Sequence, residues 1–154
     1  MSAAGALEPL TAGTLAVHQA RDAARRPRPT VEELRDGGRF EVEEFRVPWP
    51  PGGPEVLHVS ARPVGVAGPL PLLSYLHGGA IVMGIARSVL PRWSGSGLSR
   101  WGSSSCRVEY RLAPGVRYPE PHEDCRAGLV RAARHAAGPG IDPDRIVIGG
   151  AGPG

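Results

Sequence analysis

The chain of 154 residues is long enough for one domain with a modest buried core, and its formal charge is +3. All 18 basic residues are arginine, scattered among 22 glycines and 17 prolines with few aromatics; this excludes the basic, stacking-rich stripe of a nucleic-acid binder and reads as compositional bias. No segment has the make-up of a leader or a membrane span, since Glu8 interrupts the first apolar residues, so neither nucleic acid nor membrane is expected as a partner.

From the N-terminus, Thr11 to Ala24 is Ala-rich with Leu15 and Val17, which predicts a weakly amphipathic helix stopped by Pro27. The arginines of Arg25-Arg26-Pro27-Arg28 read as a solvated linker, and Val31 to Arg35 as another turn of helix. Phe40 to Val47 alternates imperfectly and suits an edge strand. Pro48 to Pro54 is then a turn, and Val56-Leu57-His58-Val59 the returning strand of a hairpin. Leu70 to Leu76 is a short apolar run bounded by glycine and proline, as in a strand covered on both faces.

The stretch from Ala86 to Arg107 fits poorly. Ser103-Ser104-Ser105-Cys106-Arg107 stands where a buried central strand is expected, and each orphaned buried polar group costs about 1 to 3 kcal/mol. The expectation is a poorly formed strand or an altered segment. Codons TCG TCG TCG TGT CGG, preceded by T and read in another frame, would give Phe-Val-Val-Val-Ser, which is the composition such a strand wants.

Pro121 to Ala137 predicts a helix with Leu129, Val130 and Ala133 on its apolar side, stopped by Gly138-Pro139-Gly140. Ile146-Val147-Ile148 is a further strand. Strand, helix and strand at this spacing predict a βαβ unit, hence an α/β fold with a mostly parallel sheet. Two cysteines, Cys106 and Cys125, are too few for a disulfide scaffold and imply reduced thiols in a cytoplasmic protein.

Several motifs carry chemistry. His77-Gly78-Gly79-Ala80 follows the apolar run, Tyr110-Arg111-Leu112-Ala113-Pro114 comes next, and Asp142-Pro143-Asp144-Arg145 leads into Ile146-Val147-Ile148 and the terminal Gly149-Gly150-Ala151-Gly152-Pro153-Gly154. In this order they resemble the N-terminal half of the hormone-sensitive-lipase-like esterase family of α/β hydrolases. The resemblance implies a cap segment over residues 1–38 and, over 39–154, half of a catalytic domain ending at the nucleophile elbow. It also implies carboxylic-ester hydrolysis of small-molecule esters through a serine acyl-enzyme, without cofactor or metal.

Ester cleavage needs a nucleophile, a base and donors for the oxyanion. The backbone amides of Gly78, Gly79 and Ala80 are the candidate donors, and the resemblance makes His77 a loop-ordering residue. It marks Tyr110, Arg111, Pro114 and Asp124 as structural, with Arg111 and Asp124 expected to pair. The family's elbow is Gly-x-Ser-x-Gly; Gly152 occupies the serine position, and Pro153 has no N–H to donate. Acid and histidine are expected beyond residue 154, because the triad order in this fold is nucleophile, acid, histidine. None of His18, His58, His77, His122 or His135 stands in that place. The expected chain is therefore an inactive fragment; the alternatives are a non-catalytic ligand-binding protein on the same scaffold, or a module that self-associates through an exposed sheet edge.

Overall fold

The computed structural model describes residues 9–25, 28–89, 102–136, 138 and 140–151. Helix α1 spans Pro9–Arg25 and helix α2 Val31–Arg35. The short α2 starts at a capping box: Thr30 accepts from the Glu33 amide, and the Glu33 carboxylate accepts from the Thr30 amide at 2.7 Å. That bond holds the Glu33 carboxyl below its ordinary pKa.

Strand β1 (Phe40–Pro48) turns through Trp49–Pro54, where the Trp49 amide donates to Pro54 O, into antiparallel β2 (Glu55–Pro63). Strand β3 is Leu70–Leu76, β4 Ser104–Glu109, helix α3 Glu120–Arg134 and β5 Ile141–Gly150. The sheet runs β1-β2-β4-β3-β5, antiparallel across β1-β2-β4 and parallel across β4-β3-β5. The predicted hairpin and βαβ unit are both present, and the sheet is mixed.

Apolar layers lie on both faces. Leu34 of α2 packs with Phe40, Val42, Val59 and Ala61. On the other face Leu72, Cys106, Ala132, Ala136 and Ile141 form one cluster, and Val56, Val108 and Tyr110 another. The phase break seen in β1 has a simple cause: its first half buries Phe40 and Val42 toward α2, while Val47 is buried through the opposite face, at odd-residue spacing.

Two expectations are corrected. Helix α3 does not bury Leu129, Val130 and Ala133. It buries Asp124, Ala127, Gly128 and Ala132, leaving Leu129 and Val130 half-buried and Ala133 exposed. A Cβ at Gly128 would lie 2.6 Å from Val108 Cγ2, so close approach selects the small-residue face and swings the larger side chains to the flank. Likewise, β4 is not poorly formed: it pairs with β2 on one side and β3 on the other, and every residue except Glu109 is buried. Backbone ladders on both sides hold it regardless of side-chain polarity. The polarity remains as orphaned atoms, with Ser104 Oγ, Ser105 Oγ and all three Arg107 guanidinium nitrogens lacking a hydrogen-bond partner.

Candidate active site

The parallel pairing of β3 with β5 sets Leu76 opposite Gly150, and the Ala151 amide donates to Leu76 O at 3.2 Å. Two chain segments leave the sheet side by side here, the His77–Ala80 loop and Gly150-Ala151. The fit is tight, since a Cβ at Gly150 would come within 3.0 Å of Leu76 O. Gly152, Pro153 and Gly154, the predicted nucleophile position and its neighbours, lie outside the described residues.

The loop is strained and cross-braced. Gly79 has φ 131°, and Ala80 and Ile81 adopt φ 53° and 63°, in the left-handed region that disfavours side-chain-bearing residues by about 1 to 2 kcal/mol each. Gly79 O accepts from the amides of Val82 and Met83 at 3.0 and 3.1 Å, and Ile81 O accepts from the Ala113 amide at 2.9 Å. Gly79 can hold no side chain, because a Cβ would lie 2.1 Å from Met83 O. Among the described residues the amides of Gly78, Gly79 and Ala80 donate to no partner, which leaves three N–H groups on one short loop available to an acceptor.

His77 opens this loop. Its ring is buried and stacks on Tyr110 at 4.1 Å between centroids with an 11° interplanar angle, while the Tyr110 hydroxyl donates to His77 O at 2.5 Å. Burial pushes the Tyr110 phenol up to about 12, so it remains a donor at neutral pH. Sequence reasoning missed Gly84: with φ 110°, it lies where a Cβ would meet His77 Nδ1 and Gly78 O at 2.4 Å. A lone glycine after Ile81-Val82-Met83 was the available signal.

Arg111 and Asp124 pair as expected. The wholly buried Asp124 carboxylate accepts from the Arg111 backbone amide at 2.9 Å, from Nε at 2.9 Å and from Nη2 at 2.8 Å. The guanidinium pKa rises through that hydrogen bond. Pro114 follows Ala113 through a cis peptide on an exposed turn. Helix α1 reaches the loop through Gln19 Nε2, which donates to Val82 O at 2.7 Å.

Neither cysteine substitutes for the missing nucleophile. Burial pushes the thiols of Cys106 and Cys125 up to about 11, so both stay protonated at neutral pH. His122 and His135 are exposed near the ends of α3, and His58 is buried beneath it on β2. No three His, Cys, Asp or Glu side chains among the described residues group as metal ligands. No helix among them is long and apolar enough to cross a membrane.

A glycine loop at the end of β3, beside the end of β5 in a sheet ordered β1-β2-β4-β3-β5 with a helix joining β4 to β5, is the architecture of an α/β hydrolase. The family profile described as alpha/beta hydrolase fold matches residues 73–154. Hormone-sensitive lipase of Ictidomys tridecemlineatus is 28% identical over 118 residues, 77% of this chain and 15% of that protein. An arylesterase of Saccharolobus solfataricus is 34% identical over 84 residues, 51% of this chain and 26% of its own length. Among solved structures a bacterial heroin esterase superposes with a TM-score of 0.71 at 33% identity, covering 90% of this chain and 42% of that one. The chain belongs to the esterase and lipase family of α/β hydrolases and spans less than half the length of these relatives.

Proposed function

We propose that this chain is an esterase-family scaffold that keeps the oxyanion-binding loop but does not turn over esters. The three unpartnered amides of Gly78, Gly79 and Ala80 carry this reading, because they are the donor set that stabilises an acyl-transfer intermediate. In the sequence, Gly152 at the serine position of the family's elbow offers no hydroxyl and Pro153 no N–H, so nucleophile and one donor are missing together. His77 and Tyr110 serve as positioning residues for the loop, and residues 1–38 as a cap segment over it. A small carboxylic ester is the matching ligand, held by its carbonyl oxygen without cleavage.

The test is hydrolysis of p-nitrophenyl acetate by the purified chain, alongside labelling with a fluorophosphonate serine-hydrolase probe. Neither signal is expected above a mock preparation. Gly152→Ser alone should not restore activity, because Pro153 still lacks the donor. Stoichiometric labelling of the unmodified chain would overturn this reading.

A second reading, self-association, is favoured by β5. Its outer edge pairs with no described residue, and Val147 and Ile148 are 59% and 57% exposed. An apolar strand edge of this kind is a template for pairing with another chain. Light scattering should find dimers or larger species; a monodisperse monomer would exclude the idea.

A further inference from the structure

We propose that the cavity between α3 and the β1-β2-β4 side of the sheet binds a monocarboxylate with an unbranched apolar tail. The space is about 880 Å3 and contains no residue of the His77–Ala80 loop, so it is a different site from the one above. It exists because small residues face each other, with Gly128 and Ala132 on the helix opposite Ser60, Ser104 and Cys106 on the sheet. Volumes of this order are typical of ligand sites, which combine apolar walls with a few polar groups.

The walls specify the tail. Leu72, Cys106, Ala132 and Ile141, all buried, together with the half-buried Phe45, give a continuous apolar lining. Two lining residues carry unsatisfied hydroxyls: Ser104 and Ser105, 5% and 0% exposed, have no hydrogen-bond partner for their Oγ atoms. Such a group is costly unless something enters to meet it.

The mouth specifies the head. Arg131 and Arg134 of α3 line it, and neither makes an ion pair among the described residues; the Arg131 guanidinium instead lies 4.8 Å from the Phe45 ring centroid. Arg62 adds a third positive charge, held in place by the carbonyls of Gly140, Gly68 and Val66 at 2.9 to 3.2 Å. Glu41 and Glu43 of β1 also line the cavity. Three arginines outnumber two glutamates, so the mouth favours an anion, and guanidinium groups match a carboxylate with paired donors. His135 at the same rim adds a further donor.

Binding is measured on the full chain by calorimetry or ligand-observed NMR, with sodium hexanoate, octanoate and decanoate and with 1-octanol as the uncharged control. Affinity should rise about fourfold per added methylene until the cavity is filled. Octanoate should bind at least tenfold more tightly than octanol. Ala132→Phe fills the space and should weaken octanoate at least tenfold. The double variant Arg131→Gln, Arg134→Gln changes only partly or wholly exposed side chains, so it keeps the test open if the first variant fails to fold; it should bring octanoate down to the level of octanol. Octanoate affinity independent of chain length, equal to that of octanol, or unchanged in both variants would overturn the proposal. The readout is binding, so it stands or falls independently of ester turnover.

Discussion

Replacing Arg107 with methionine should make this protein more stable. The guanidinium is 1% exposed and none of its nitrogens has a hydrogen-bond partner; its one compensation is the Tyr75 ring, 4.9 Å away. Burial drags its pKa from 12.5 down to about 10, which corresponds to about 3 kcal/mol of disfavoured charge. Losing the cation–π contact gives back about 2 kcal/mol. Burying an apolar side chain of similar length between Val59 and Tyr75 adds about 1.5 to 3 kcal/mol. The net gain is about 3 kcal/mol, or a Tm rise of roughly 6 to 12 °C for a domain of this size. Urea unfolding followed by circular dichroism measures it directly, with the midpoint expected to rise at constant m-value. An unchanged or lower midpoint would refute the reasoning, because it would mean that the guanidinium has a partner worth more than the charge costs.

Three further outcomes follow from packing and backbone geometry. His58 is fully buried without a hydrogen-bond partner, and burial, aided by Arg131 and opposed by Asp124, lowers its pKa to about 4. The unfolded chain therefore binds the proton first, so stability should fall by about 3 kcal/mol as pH drops from 6.5 to 4, and His58→Phe should flatten that slope in pH-dependent urea titrations. Gly128→Ala places a methyl 2.6 Å from Val108 Cγ2 and should cost about 1 to 3 kcal/mol in the same assay; a neutral result would show that α3 can slide outward. Ala80→Gly relieves a residue at φ 53° and should raise the thermal midpoint by the equivalent of about 1 kcal/mol; a loss would mean that the alanine methyl makes a needed contact. If the coding DNA around codons 103–107 yields no apolar run in either alternative frame, the shifted-frame origin of the polar β4 fails.

Elements with strong local signals were legible from the residues. Leu70–Leu76 reads as a buried strand and is one, and Val31–Arg35 forms the helical turn expected of it. The loop motif and the Arg111–Asp124 pair were readable through the family resemblance. The buried face of α3 was not, because hydrophobicity alone favours Leu129 and Val130, whereas the packing distance against Val108 and His58 admits only Gly128. Nor was β4: side-chain polarity argued against a central strand, but two flanking ladders outweigh it. The cavity depended on small residues from distant segments meeting across a gap, which no local window contains.

Tyr110 and Arg111 are neighbours in sequence, yet one is bonded to the donor loop and the other to the crossover helix. A single dipeptide thus ties the His77–Ala80 loop to α3. A change in the tilt of α3 is therefore passed through two adjacent residues to the carbonyl of His77, where that loop begins.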